Sequence, residues 1–165
     1  MTERILNVLF LCSDNASRSL IAESSLLKDG EARFNVFSGG VRPAAAVNPL
    51  TLKVLADDGY AIDGLSCKDW HVFTGEGAPD IDFVITLCDN LKGNDFSLLT
   101  GRPVRAHWGI FDPGAVEGTL IDKERAFVTA LRQLRRRVSA FGALPFDGLN
   151  KMTLQAKLGE IALLD

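Results

Sequence analysis

Apolar and polar positions along the chain follow two rhythms. Residues 5–11, ILNVLFL, are an almost unbroken apolar run rich in strand formers. Three further short runs share this buried-strand character: FNVFSGG at 34–40, DFVITLC at 82–88 and VRAHW at 104–108. Between them the period lengthens to that of a helix. From about Arg18 to Lys28, apolar or small residues recur at Ile21, Ala22 and Leu26 among polar neighbours. Over 48–59, Asn48 supplies a cap, Pro49 the first helical position and Gly59 a stop. A long amphipathic helix is predicted over 122–144, opened by acidic residues, and a last one over 152–164. Short strands separated by helices predict right-handed crossovers and a mostly parallel sheet, an α/β fold.

Composition narrows what such a fold does. A chain of 165 residues, 47% hydrophobic and 24% charged, buries one good core, so a single domain over 1–165 is expected. A net charge of -3 lacks the broad basic field that nucleic acid or a membrane surface requires. The basic run RQLRRR at 132–137 lies in a helical pattern and reads as a solvated face. No stretch approaches a membrane span, and MTERILNVLFLC lacks the parts of a signal peptide, so a cytoplasmic protein is expected. Cys12, Cys67 and Cys88 form no Cys-x-x-Cys pair, and His71 and His107 are the only histidines, so no metal site is expected. An odd number of cysteines in a reducing compartment points to free thiols.

The chemistry concentrates where the first apolar run stops. Cys12 ends the first predicted strand and Ser19 begins the first helix, which places SDNASR beyond the carboxyl end of a parallel strand, where open sheets bind ligands. Backbone N–H groups of such a loop bind an oxyanion, aided by the positive end of the helix dipole. Small side chains at Ser13, Ala16 and Ser17 let the backbone approach the ligand, and Arg18 adds a planar two-pronged donor. The same donors favour a thiolate at Cys12. The Cys-x5-Arg spacing alone is a weak signal, and a strand-end Cys12 with a surface Arg18 is its bland alternative.

VLFLCSDNASRSLIAES resembles the active-site segment of the low-molecular-weight protein tyrosine phosphatase superfamily. FSGG, VNPLTLKVLADDGY, DFVITLCDN and AHWGIFDP are similar, in order, to the thioredoxin- or glutathione-linked arsenate reductases built on that fold, and the long helix is similar to that of the proteobacterial members. The resemblance implies a three-layer sandwich, with a four-stranded mostly parallel sheet flanked by helices and a C-terminal helical extension. It also implies Cys12 as nucleophile, Arg18 as oxyanion clamp and Asp112 as general acid. Ser13, Asp14, Asn15, Ala16, Ser17 and Ser19 would line the substrate site, Asn15 holding the loop in shape and Ser19 bonding the Cys12 sulfur.

Arsenate and phosphate are both tetrahedral oxyanions, so three readings stay open at this point: reduction of arsenate to arsenite, hydrolysis of phosphotyrosine or a small phosphoester, and non-catalytic oxyanion binding. Reduction needs a further thiol. Cys88 matches the first relay cysteine of the thioredoxin-linked enzymes, but the next falls near Phe96 and Ser97, so no complete three-cysteine relay is expected. The resolving thiol is then Cys88 or an external one, with glutathione, glutaredoxin or thioredoxin as electron donor and no bound cofactor. Asp14 stands where the family usually carries glycine; a carboxylate beside the anion site repels anions and raises the Cys12 pKa, whereas one pointing outward to solvent is largely screened.

Overall fold

The computed structural model describes residues 4–30 and 32–164. Four strands form the sheet, β1 (Leu6–Cys12), β2 (Phe34–Gly40), β3 (Phe83–Thr86) and β4 (Val104–His107), in the order β2-β1-β3-β4. Every pairing is parallel. Four helices accompany them: α1 (Arg18–Asp29), α2 (Pro49–Asp57), α3 (Leu120–Gly142) and α4 (Lys151–Ile161). The predicted elements are all present, with shifted ends. Helix α3 starts at Leu120 because Thr119 and Asp122 close a reciprocal capping box, each side chain bonding the other's backbone N–H. Strand β3 stops at Thr86, before the 3-10 turn Asp89–Leu91 draws the chain away from the ladder.

Strand alternation divides the core into two. Phe10, Phe34, Phe83 and Ile85 fall on one face by register, and helices α1 and α3 pack there, with α2 against both. Phe141 of α3 is fully buried at the centre of this face, its ring meeting Phe34, Phe83, Trp108 and Phe146 within 5.1 to 6.0 Å. On the other face Phe37 meets Phe73, while Trp70 meets Phe96, so buried 3-10 turns and loop residues cover the sheet there. Helix α4 packs on edge strand β4, where the Trp108 indole N–H donates to the Leu158 carbonyl at 3.0 Å. Buried Arg137 donates to the carbonyls of Trp108 and Leu164, tying the segment after β4 to the C-terminal helices. Among the described residues no helix is long and apolar enough to cross a membrane.

Strand order fixes where a ligand can sit. The connection after β1 leads towards β2 and the one after β3 towards β4, so the chain leaves the two central strands in opposite directions and opens a crevice at their carboxyl ends. Cys12 and Cys88 both lie at that crevice. The scaffold beneath it depends on the aromatic cluster: Phe141→Ala is expected to lower stability by about 3 to 5 kcal/mol, read as a fall in the urea midpoint with an unchanged slope.

Candidate functional site

The loop from Cys12 to Arg18 takes its shape from where its carbonyl groups go. Val41 N–H donates to the Cys12 carbonyl, Arg42 N–H to that of Ser13, and Ala44 N–H to that of Asp14. The Ala16 carbonyl accepts from Asn48 N–H at 3.2 Å and from Thr51 Oγ1 at 2.9 Å. With the carbonyls drawn outward to the segment after β2, the N–H groups turn inward. Ser13 N–H reaches Cys88 Sγ at 3.2 Å, Asn15 N–H reaches Cys12 Sγ at 3.2 Å, and Ala16 N–H reaches Asp14 Oδ1 at 3.1 Å. Gly40 makes this bracing possible, since a Cβ there would lie about 3 Å from the backbone of Ser13, Asp14 and Asn15.

Asn15 locks the loop from within. It takes a left-handed backbone, φ 53°, which asparagine tolerates better than most residues. Fully buried, it donates from Nδ2 to Ser19 Oγ at 2.7 Å and accepts Lys68 N–H at Oδ1 at 2.8 Å. Ser19 Oγ lies 2.9 Å from Cys12 Sγ. Ser17 begins α1 without a side-chain cap bond, which leaves helix N–H groups open to a ligand. Ser13 Oγ donates outward to Asn90.

The structure brings most of the anticipated residues together. Arg18 is buried rather than superficial, its guanidinium donating to the Ile110 carbonyl at 3.1 Å and lying 3.6 Å from Asp112 Oδ2. Asp112 caps the 3-10 turn Pro113–Ala115 through Gly114 N–H, with the side chain 42% exposed towards the cleft. His107 bonds on both sides, to Thr86 Oγ1 at 2.7 Å and Asp89 Oδ1 at 2.9 Å, and thereby holds the turn that follows Cys88. Cys67 is half-buried, and burial together with the Asp14 charge pushes its thiol up, which disfavours it as a nucleophile. Residues 41–46, within the segment that braces the loop, were not singled out from sequence, although FSGG before them and Asn48 after them were.

Cys12 and Cys88 are both buried, and Ser13, next to Cys12, donates its N–H to Cys88 Sγ. The expectation that the loop donors would leave Cys12 a thiolate needs correction. Its thiol is raised well above the usual value, first by the bond and charge of Cys88 and by burial, which outweigh the Ser19 contact. Cys88 is lowered to about 7, first by the bond from Cys12, then by Arg18 and Ser13 N–H against the effect of burial. A charge on either sulfur disfavours a charge on the other, so the two titrate as a pair. The Cys12 thiol also donates to Asp14, Sγ to Oδ1 3.7 Å.

The coupling predicts a signed result in thiolate absorbance against pH. Wild-type protein gains its first buried thiolate through a midpoint near 7. Cys12→Ala removes the largest cause of that depression and moves the Cys88 midpoint up, whereas Cys88→Ala removes what raises Cys12 and moves its midpoint down.

Comparison with known proteins agrees with this geometry. The family model described as low molecular weight phosphotyrosine protein phosphatase matches residues 7–136. An arsenate reductase of Bacillus licheniformis is 29% identical over 134 residues, covering 81% of this chain and 93% of that protein. Arsenate reductase 1 of Bacillus cereus is 31% identical over 119 residues, covering 72% and 84%. Among solved structures, an arsenate reductase in the phosphate-binding state superposes with a TM-score of 0.70 at 25% identity, covering 84% of this chain and 97% of the other. With its crevice at the ends of β1 and β3 and its inward-turned loop after Cys12, the chain belongs to the low molecular weight phosphotyrosine protein phosphatase family.

Proposed function

We propose that this protein reduces arsenate to arsenite, with Cys12 as nucleophile and Cys88 as the thiol that resolves the adduct. The observation that carries this reading is the second sulfur at the loop: Cys88 Sγ accepts the N–H of Ser13, the residue next to Cys12, at 3.2 Å, and a second thiol is what reduction needs and hydrolysis does not. The relatives named as arsenate reductases support it.

Arsenate sits among the inward N–H groups with Arg18 as a fork on its oxygens. Within the thiol pair the proton passes to Cys88, and Cys12 attacks arsenic as thiolate. A sulfur–arsenic bond forms while an arsenic–oxygen bond breaks, and that oxygen leaves as water with a proton delivered by Asp112. Asn15 and Ser19 keep the loop and the sulfur in place. Cys88 passes its proton to an arsenic-bound oxygen as its sulfur attacks Cys12 Sγ, the sulfur–arsenic electron pair stays on arsenic, and arsenite leaves carrying that proton. Arsenic gains two electrons and the two sulfurs become a disulfide. Where a third relay cysteine would stand, Phe96 is buried against Trp70 and Arg105, so an external thiol donor, glutathione with glutaredoxin or thioredoxin, restores the pair directly. All 165 residues act as one domain, in the cytoplasm, where that donor pool keeps the thiols reduced.

A second reading has one observation in its favour. Phe111, immediately before Asp112, is 70% exposed, and a large apolar ring beside an acid is suited to an aryl phosphate. In that case Cys12 takes the phosphoryl group, Asp112 protonates the phenol oxygen, and water completes hydrolysis with no use for Cys88.

A paired assay of arsenate reduction with added thiol and of aryl phosphate hydrolysis separates the two. The expected outcome is reduction by the parent protein, loss of both activities in Cys12→Ser, and a fall of roughly 10²- to 10⁴-fold in Asp112→Asn. Reduction retained by Cys12→Ser would remove the nucleophile, and phosphate release without arsenate reduction would favour the second reading.

A further inference from the structure

Asp14 is the feature of the loop that anion binding alone does not explain. Its carboxylate is turned into the cradle: Oδ1 accepts Ala16 N–H at 3.1 Å and lies 3.7 Å from Cys12 Sγ. It thereby occupies one of the inward donors that an oxyanion needs, directly beside the atom that attacks. Cys12 has no exposed surface in this state, so an incoming anion must meet the carboxylate.

The surrounding charge sharpens the conflict. The groups facing the cradle are Asp14, the Cys12–Cys88 pair, Arg18 and Asp112, with Cys67 close enough to sense the Asp14 charge. Arg18 is paired with Asp112, and Lys68 is near enough to act on Cys67 as Asp14 does, so the Asp14 carboxylate is the negative group placed directly beside Cys12 Sγ. A ligand oxygen that bears no proton would face the Asp14 carboxylate as a second acceptor, with like charge and nothing to share. A protonated oxygen donates to it and converts the repulsion into a charge-assisted hydrogen bond.

We infer that Asp14 is a specificity-determining residue that admits tetrahedral oxyanions still carrying an O–H group, such as hydrogen phosphate and hydrogen arsenate, and rejects proton-free ones of the same shape, such as sulfate. The carboxylate stays in the cradle, keeps its bond to Ala16 N–H with one oxygen and accepts from the ligand hydroxyl with the other. This rests on the loop being the anion site of the proposed reductase and deepens it: an aryl phosphate dianion, which also lacks the hydroxyl, is disfavoured by the same contact. Glycine at this position has neither effect.

Calorimetric titration of the reduced, full-length protein with inorganic phosphate and with sodium sulfate at neutral pH tests the inference. The parent is expected to bind phosphate roughly 10- to 100-fold more tightly than sulfate. In Asp14→Asn the side-chain oxygen still accepts Ala16 N–H, so the loop keeps its fold, while the amide donates to a proton-free oxygen; the preference for phosphate is expected to collapse to within a few-fold. Asp14→Gly should behave alike. Equal affinity of the parent for the two anions, or a preference unchanged in Asp14→Asn, would overturn the inference while leaving the anion site standing. Absence of phosphate binding in the parent and both variants would overturn the site itself. A preference that collapses as expected in a protein that fails to reduce arsenate supports the selectivity and removes only the reaction assigned above.

Discussion

The structure depends on the register between its two central strands. β1 pairs with β3 so that Leu11 faces Thr86, and the Leu87 N–H continues the ladder to the Leu11 carbonyl at 2.9 Å. Cys12 and Cys88 therefore emerge together at the carboxyl edge of the sheet, from connections that then part. A slip of one residue would turn one sulfur to the opposite face of the sheet. The buried aromatic cluster under Phe141 resists such a slip, since Phe83 and Phe34 are committed to that face.

On this platform the loop acts as an electrostatic object. Drawing the carbonyls of Cys12, Ser13, Asp14 and Ala16 outward costs nothing, because backbone N–H groups at 41–48 and Thr51 accept the role of partner. The inward amides then stabilise negative charge without reorganising when it arrives. The resting molecule shares those amides among three acceptors: the Cys12 sulfur, the Cys88 sulfur and the Asp14 carboxylate. Cys88 and burial push the Cys12 thiol up, while the bond from Cys12, with Arg18 and Ser13, lowers Cys88 to about 7 against its burial. Proton exchange between the sulfurs, followed by anion binding, is the step that arms the nucleophile in this account.

Much of this was legible in the sequence, for physical reasons that differ by element. The strands and helices were readable because apolar period and caps are local: Asn48 with Pro49 marked the start of α2, and the side chain of Asn48 does accept the Leu50 N–H. The loop was readable because strand, small residues and arginine follow each other without interruption. What escaped depends on particular side-chain partners, some of them distant in the chain. The start of α3 was placed at Asp122, although the capping residue is Thr119, whose role appears only when both side chains close the box. The bracing by residues 41–48 and the contact of Cys88 with the Ser13 N–H join segments that spacing cannot relate, and the inward turn of Asp14 depends on its side-chain rotamer. The thiolate expected at Cys12 was weighed against its own loop alone, without the neighbouring Cys88 and the burial that push its thiol up.

The most direct measurement is a single turnover without external reductant. Fully reduced protein is given one equivalent of arsenate, quenched by alkylation, and digested for mass spectrometry while arsenite is counted. The account predicts one arsenite released per chain and a disulfide joining Cys12 to Cys88, with Cys67 alkylated. Arsenite released while both Cys12 and Cys88 remain alkylatable, or a disulfide that involves Cys67 instead, would contradict it.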